Sequence, residues 1–226
     1  MEVAAIRTIL EGLRNPERAR VSKRYLKSDY EFYGVSVPKL RKIAKSIDLD
    51  FDSSLKLFDE LWNSGNHEEM SLGLFLISKF ENPGVWDFLV ARLDKAKSWD
   101  HIDELSCHTL GEILANNLRL TSDMKTLANS DNPWFRRASM VSTLPLIKKN
   151  KLELTFLLAE KLVYDNNIYV QKAAGWMLRE AGKRDRLATR NFILNHLDMK
   201  AAAFSYATEK MLELRKIKKE KIKQDG

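Results

Sequence analysis

DNPWFRRA at residues 131–138 and DNNIYVQKA at residues 165–173 share one pattern, an Asp-Asn pair followed by Phe-Arg-Arg-Ala or Val-Gln-Lys-Ala. The Asp-Asn pairs start 34 residues apart (131 to 165), and the alanines lie 35 residues apart (138 to 173). Helical repeat units have lengths of roughly 34–47 residues. Stacked units bury a continuous core and present a concave face. The pair of stretches therefore predicts a stack of helical repeats.

The rest of the chain shows apolar residues at the three- and four-residue spacing of amphipathic helices. One such face comprises Ile6, Ile9, Leu10 and Leu13, and another, Leu55, Phe58, Leu61 and Trp62, follows the cap-like residues 52–54. Short polar turns separate the helices, at residues 15–16, 64–66, 82–84, 129–133 and 165–167. One long helical segment is predicted at residues 133–148. With 9 Gly, 5 Pro and no alternating strand pattern, the sequence predicts an all-α chain of about a dozen helices.

Length and charge set the domain organisation and the class of partner. The 226 residues suit one domain, and the net charge is +7. Residues 214–226 hold six basic and two acidic side chains, a contribution of +4, which leaves +3 for residues 1–213. We predict a single repeat domain at 1–213 and a basic C-terminal tail at 214–226. A basic surplus favours a polyanionic partner.

The sequence also indicates a cellular setting. A single cysteine, Cys107, allows no internal disulfide, and this fits a reducing compartment. No apolar run approaches the ~18 residues of a membrane span, and the first residues do not resemble a signal peptide. We expect a cytoplasmic, nucleoid-associated protein with no membrane contact.

A first candidate site is the segment at residues 97–103. Trp99 and Asp103 are four residues apart and share one helix face, whereas Ile102 and Leu105 fall on the core side. An indole face attracts positive charge, and a carboxylate stabilises it, so the pair suits an oxocarbenium-like species. The alternative is a packed tryptophan at a helix start, with acidic side chains that favour the positive helix end.

A second candidate lies at residues 134–137, where two arginines follow a first-turn proline. Arg136 and Arg137 would bind a phosphate through paired N–H donors. The alternative is an arginine pair in ordinary surface ion pairs.

Residues 171–180 form a third candidate. Lys172 and Trp176 are four apart and would present a cation and a ring together, while small residues beside them allow close approach of another backbone. The alternative is that Ala174, Gly175 and Trp176 pack against the next helix, the commoner fate of a helical tryptophan.

The fourth candidate is near the start of the chain, where Gly34 and Pro38 frame a turn into a helix. Tyr25 precedes this turn and would offer its hydroxyl or ring to a ligand, or else cover the edge of the core.

Other chemistry has little support in the sequence. His101, Cys107 and His108 lack the paired ligand spacing of a zinc site. Cys107 has no identified base and is read as a buried thiol. Neither a glycine-rich phosphate loop nor a serine-nucleophile elbow is present. We expect no metal and no cofactor.

Four segments together resemble the AlkD-like DNA alkylation repair family, the HEAT-like repeat DNA glycosylases. They are residues 33–41, residues 98–103 with Leu110-Gly111, residues 131–138 and residues 171–180, and they cover nearly the whole chain. The resemblance implies a HEAT-like helical solenoid with a concave face that binds duplex DNA. It also implies active-site residues at Trp99, Asp103 and Trp176 and DNA contacts at Arg137 and Tyr25. We predict from its position beside Trp176 that Lys172 also contacts the DNA. Arg136 departs from the family pattern.

The resemblance further implies the substrate, duplex DNA containing N3- or N7-alkylated purines. Such a base carries a positive charge and leaves neutral, so a single carboxylate suffices where ordinary glycosidases use two. We expect the protein to act as a monomer. Two alternatives remain, a DNA-damage binder without turnover and a helical-repeat scaffold for other proteins, because a fold alone does not define a function.

Overall fold

The computed structural model describes residues 2–80, 82–116 and 120–225, and these form an all-α, helical-repeat structure. No β-strand occurs among the described residues, which contain one isolated β-bridge between Glu31 and Asn66. None of the described helices combines the length and apolarity that a bilayer crossing requires. The chain divides into two compact units, residues 1–85 with 95–109 and residues 86–94 with 110–226.

Unit 1 contains the helices α1 Val3–Gly12, α2 Pro16–Leu26, α3 Val37–Ser46, α4 Phe51–Trp62, α5 His67–Ile77 and α7 Trp99–Leu105. All eleven residues of α5 are buried, and α5 packs on α3, α4 and α7. The core around it includes Ile6, Leu10, Leu40, Leu61 and Leu76. A helix with no solvent-exposed face forms the centre of a unit, so α5 is the element on which the others in unit 1 are placed.

Unit 2 contains α6 Trp86–Val90, α8 Gly111–Asn116, α9 Thr121–Leu127, α10 Pro133–Val141, α11 Leu144–Lys148, α12 Glu153–Leu162, α13 Ile168–Gly182, α14 Arg186–Asn195, α15 Ala201–Ala207 and α16 Leu212–Asp225. Its central element is α13, which packs on α10, α12, α14 and α15. Buried residues of α13 include Val170, Ala173 and Met177.

The turns that open the helices repeat along the chain. The asparagine caps Asn66, Asn132 and Asn167 each accept a hydrogen bond from a first-turn N–H of α5, α10 or α13. Their own N–H groups donate to the side chain two residues earlier, which is Ser64, Ser130 or Asp165. The repeat detected at 131–138 and 165–173 thus extends back to residues 64–66.

Side-chain hydrogen bonds also connect positions about one repeat apart. Within unit 1, Lys79 Nζ donates to the carbonyl oxygen of Ala44, 35 residues earlier. Within unit 2, Lys149 Nζ donates to Asn116 Oδ1, and Tyr164 donates its hydroxyl hydrogen to Asp198 Oδ1. Such contacts between successive repeats hold a helical-repeat protein together.

Two predicted helix boundaries are wrong. The cap of α4 is Asp50, whose side chain accepts from Ser53 N, rather than residues 52–54. The predicted helix at 133–148 is two helices: α10 ends at Val141 and α11 begins at Leu144. Pro145, in the first turn of α11, lacks the N–H that would continue α10.

Candidate functional site

The first candidate pair lies on α7, a seven-residue helix whose first residue is Trp99. Asp103 follows one turn later, and both side chains are half-buried. Ile102 and Leu105 on the other side of the helix are fully buried. The expected division of α7 into a core side and an accessible side is therefore confirmed, and the Asp103 carboxylate lies outside the hydrophobic core.

Tyr25 from α2 reaches the same place. Its side chain is 70% exposed, and its ring meets the Trp99 indole edge to face, with centroids 5.9 Å apart and planes at 75°. Such a geometry is favoured by the quadrupoles of two aromatic rings. The structure thus brings Tyr25 and Trp99 together in unit 1, with Asp103 one helical turn from Trp99.

A hydrogen-bonded network at the start of α7 was not predicted from the sequence. His67 Nε2 lies 2.7 Å from Asp100 Oδ2, and Ser98 donates its hydroxyl hydrogen to Asp100 Oδ1. Burial alone would raise the pKa of Asp100, but the hydrogen bonds from His67 and Ser98 and the nearby imidazoles hold it well below its usual value. His67 is 33 residues from Asp100, so no local spacing in the sequence predicts this pair.

His101 lies deeper, and burial lowers the pKa of its imidazole to about 3, so the ring is neutral. Ser71 donates its hydroxyl hydrogen to the His67 carbonyl and is therefore an acceptor for His101 Nε2, 3.0 Å away. The His67 carbonyl lies 3.2 Å from the same nitrogen. Nε2 therefore carries the proton, and His101 Nδ1 is buried without a hydrogen-bond partner.

His67, Asp100 and His101 each place a potential ligand atom within 4.8 Å of the others, the arrangement in which a divalent ion would be sought. The two imidazoles, however, are stacked, with centroids 4.4 Å apart and planes at 20°. The in-plane lone pairs of stacked rings run nearly parallel, whereas coordination requires that they converge on one point. This geometry favours a hydrogen-bonded network over a metal centre.

Unit 2 holds the two adjacent arginines at the start of α10, and they have different partners. Arg136 forms a two-pronged ion pair with Asp165, with N–O distances of 2.6 and 3.1 Å. It also donates to the Ser130 and Asp131 carbonyls. Arg136 therefore ties two successive repeats together, and this explains a basic residue at this position.

Arg137 was expected to bind a phosphate, but only 5% of its surface is exposed. Its Nη1 donates to the carbonyl oxygen of Tyr169, at the start of α13. The Tyr169 ring lies 5.4 Å from that of Trp134. Because the residue is buried, a phosphate contact by Arg137 requires that its guanidinium become accessible.

The remaining predicted residues, Lys172 and Trp176, lie one turn apart on α13 and are both half-buried. Between them Gly175 is buried, and a Cβ on it would meet the backbone of Ala203 and lie 2.7 Å from Tyr206 Cβ. The small residues of this segment thus allow α15 to approach the α13 backbone, as predicted.

The turn at residues 33–35 is held by a buried carboxylate. Glu68, in the first turn of α5, accepts hydrogen bonds from the N–H groups of Tyr33, Gly34 and Val35 at 3.0, 2.7 and 3.2 Å. Next to it, Glu69 accepts from the Tyr33 hydroxyl at 3.0 Å. Sequence reasoning overlooked both carboxylates, which act as structural acceptors for the segment that precedes α3.

These observations define a class of protein: an all-helical repeat chain that presents a tryptophan and a carboxylate from one short helix, beside an exposed tyrosine. The chain belongs to the DNA alkylation repair enzyme family, whose model matches residues 6–211. The family identified from the four sequence segments is therefore confirmed, and the chain is placed among proteins that act in DNA alkylation repair.

Solved structures show the same fold. A predicted DNA alkylation repair enzyme from Enterococcus faecalis is 20% identical, with 88% of this chain and 96% of that chain covered and a TM-score of 0.73. AlkD2 from Streptococcus mutans is 18% identical, with 85% and 96% covered and a TM-score of 0.62. No curated protein matches the chain significantly in sequence.

Proposed function

We propose that this protein is a DNA glycosylase that hydrolyses the N-glycosidic bond of N3- and N7-alkylated purines in duplex DNA, the first step of base excision repair. The observation that carries the proposal is the pairing of a half-buried indole, Trp99, with a half-buried carboxylate, Asp103, on one face of α7. Tyr25 adds a largely exposed ring beside the indole.

The chemistry of the lesion explains why one carboxylate is enough. Alkylation at N3 or N7 gives the purine a positive charge. When the bond from the sugar C1′ to the base nitrogen breaks, its electron pair neutralises that charge. No general acid is needed, in contrast to glycosidases that protonate a leaving oxygen. The positive charge then moves to the deoxyribose.

Asp103 and Trp99 would act on this sugar cation. The carboxylate stabilises the oxocarbenium ion electrostatically and orients or deprotonates the water that adds to C1′. The indole face contributes cation–π attraction of roughly 0.5–2 kcal/mol, more where water is excluded. Both groups interact more strongly with the transition state than with the neutral sugar, and this difference is what accelerates a reaction.

Residues of unit 2 are proposed to hold the DNA. Trp176 would lie against the deoxyribose and backbone, and Lys172 one turn away would bind a phosphate, which positions the duplex without reading its sequence. Arg137 stays a predicted phosphate ligand, provided that its buried guanidinium becomes accessible to a phosphate. We further propose a cytoplasmic, nucleoid-associated monomer that binds the duplex.

The test is the Asp103→Asn substitution. We expect loss of most base release, while DNA affinity stays within about twofold, because a carboxylate that acts in the transition state adds little to ground-state binding. Free N7-methylguanine released from methylated duplex DNA gives the rate, and fluorescence anisotropy gives the Kd. The matched control is Asp48→Asn, an exposed carboxylate after α3.

Three outcomes would contradict the proposal. Unchanged release by the Asp103→Asn variant removes the catalytic role of this residue. Tight binding of methylated duplex by the wild-type protein without any release would instead assign it as a damage-binding protein, and absence of salt-sensitive DNA affinity would favour a protein scaffold.

A further inference from the structure

The His67 imidazole is held in one orientation by stacking on two other rings. His67 is the first residue of α5, directly after the cap Asn66. Its ring stacks on Phe32 at 4.9 Å and 21° and on His101 at 4.4 Å and 20°. A flat ring stacked on two flat rings has little freedom to tilt, so the direction of its Nε2 is fixed.

That fixed nitrogen binds the start of α7. Asp100 is ionised, because its pKa lies well below the usual value, and a carboxylate only accepts hydrogen bonds. His67 Nε2 is therefore the donor in the 2.7 Å hydrogen bond to Asp100 Oδ2. Such charge-assisted hydrogen bonds are roughly twice as strong as neutral ones.

The start of α7 depends on this contact. Ser98 is the N-cap of α7, yet its side chain donates to Asp100 and does not cap the helix backbone. Asp100 is the second residue of the helix, next to Trp99 and one turn before Asp103. The hydrogen bond from His67 thus holds the turn that carries both proposed active-site residues.

Two further contacts attach the same turn to the rest of unit 1. The Lys97 N–H donates to the Tyr30 hydroxyl, and His101 Nε2 donates to the His67 carbonyl. These contacts fix the residues on both sides of Trp99, whereas the Trp99 ring itself stays half-buried. The indole is therefore positioned through its backbone and not by enclosure in the core.

We propose that His67 and Asp100 are positioning residues: together they set the first turn of α7, and with it the Trp99 indole and the Asp103 carboxylate, for base release. This inference rests on the proposed glycosylase function. The expected loss of rate follows from geometry, because a displacement of about 1 Å at a reacting group lowers a rate by roughly 100-fold.

The experiment compares two substitutions of one residue. His67→Phe keeps a flat ring that can stack on Phe32 and His101 but removes the donor, whereas His67→Gln keeps an N–H near the position of Nε2. We expect a 10- to 100-fold lower single-turnover rate of N7-methylguanine release for the phenylalanine variant, DNA Kd within twofold, and recovery of most of the rate in the glutamine variant. Equal rates in the two variants would overturn the proposal.

A double-mutant cycle tests whether the two residues act as a pair. We expect Asp100→Ala to lose as much rate as His67→Phe, and the double variant to lose no more than either one. Multiplied losses in the double variant would overturn the pairing. Leu40→Ala, in the core of unit 1, supplies a destabilised control. Rate losses that follow Tm across all these variants would make the pair merely structural and would also overturn the proposal.

A readout independent of turnover separates this inference from the proposed function. In protein labelled with 5-fluorotryptophan, the ¹⁹F resonance of Trp99 is assigned by its loss in Trp99→Phe. We expect His67→Phe to shift or broaden it, His67→Gln to restore it, and the resonance of the buried Trp86 to stay unchanged. An unmoved Trp99 resonance overturns the positioning role, whereas wild-type protein that releases no base overturns the glycosylase function.

Discussion

At the scale of single residues, Gly34 shows why one amino acid is required at one position. Its φ is +83°, which L side chains rarely adopt, and a Cβ would overlap the Asn15 carbonyl oxygen and lie 2.7 Å from Ala19 N. The backbone of this turn also donates to Glu68. Both the conformation and the close approach of α2 therefore exclude a side chain here.

Three glycine-to-alanine variants separate these two effects. We expect Gly34→Ala to destabilise the protein by about 2–5 kcal/mol, from left-handed strain and overpacking together. Gly65, with φ +73° and open space around it, should lose only about 1–2 kcal/mol. Gly12, helical and unobstructed, should gain up to about 1 kcal/mol. Urea unfolding measures all three, and similar values for Gly34→Ala and Gly65→Ala would contradict the packing argument.

The buried His101 predicts how stability depends on pH. Its pKa is about 3 in the folded protein and about 6.5 in the unfolded chain, so between these values the unfolded state binds the extra proton. Stability should therefore fall as the pH falls below 6.5, by about 1.4 kcal/mol per pH unit for this residue. Urea midpoints at pH 7, 6 and 5 measure the slope. His101→Phe, which keeps a flat ring, should flatten it, and an unchanged slope would assign the dependence to other groups.

Residue-scale features differ in how visible they are in the sequence. The Trp99 and Asp103 face follows from four-residue spacing alone, because a helix determines which neighbours share a side. The His67–Asp100 hydrogen bond and the burial of Arg137 cannot be predicted from local spacing, because both depend on residues about 32 positions away. Contacts between repeats are tertiary, and no local pattern encodes them.

At the scale of helices, the repeat register relates residues that the sequence singled out separately. Asp103, Arg137 and Lys172 are each the fifth residue after a cap, which is Ser98, Asn132 or Asn167. Arg137 and Lys172, both in unit 2, therefore occupy equivalent positions of successive repeats. This register was readable from the sequence only for 131–138 and 165–173, because Ser98 replaces the asparagine cap before α7.

The sequence predicts where helices occur, but it does not predict where a helix is interrupted. Amphipathic spacing identifies the apolar faces around Leu10, Leu61 and Met177, all of which are buried. The segment at residues 99–116, in contrast, contains a π-helical turn at Ser106–Leu110 between α7 and α8. Tertiary packing decides such local changes of pitch, and the hydrophobic period does not reveal them.

The contact between α13 and α15 gives a prediction at this scale. Gly175→Ala would place a methyl group against the Ala203 backbone and Tyr206 Cβ, neither of which moves without the whole helix. We expect a loss of about 1–3 kcal/mol in unfolding free energy, measured by urea titration. Gly182→Ala, on the same helix, is the control, because its Cβ would meet the flexible end of Met211 and should be nearly neutral. Equal losses would contradict the close-packing explanation.

At the scale of the whole molecule, the basic surplus concentrates in α16. Arg215 and Lys218 hold this helix in place: Arg215 Nε donates to Thr208 Oγ1 at 3.0 Å, and the Lys218 ammonium lies 4.3 Å from the centre of the Phe204 ring. Lys216, Lys219 and Lys223 are exposed instead and fall at three- and four-residue spacing on one face. The predicted basic tail is thus an ordered helix with one face of lysines available to a polyanion.

Lys216, Lys219 and Lys223, on one face of α16, should contribute to the salt dependence of DNA binding. Each phosphate contact adds about 0.9 to the slope of log K against log salt concentration, so changing all three lysines to glutamine should reduce the slope by up to about 2.7. Anisotropy titrations of an undamaged duplex at several salt concentrations measure it. Lys42, Lys45 and Lys56, exposed in α3 and α4, provide a control triple substitution that also lowers the net charge from +7 to +4. If the two triple substitutions change the slope equally, long-range charge accounts for the effect and α16 makes no phosphate contact. A larger change for the α16 substitution means that local contacts dominate. The two cases can be separated because salt screens the interaction of charges that lie more than about 10 Å apart.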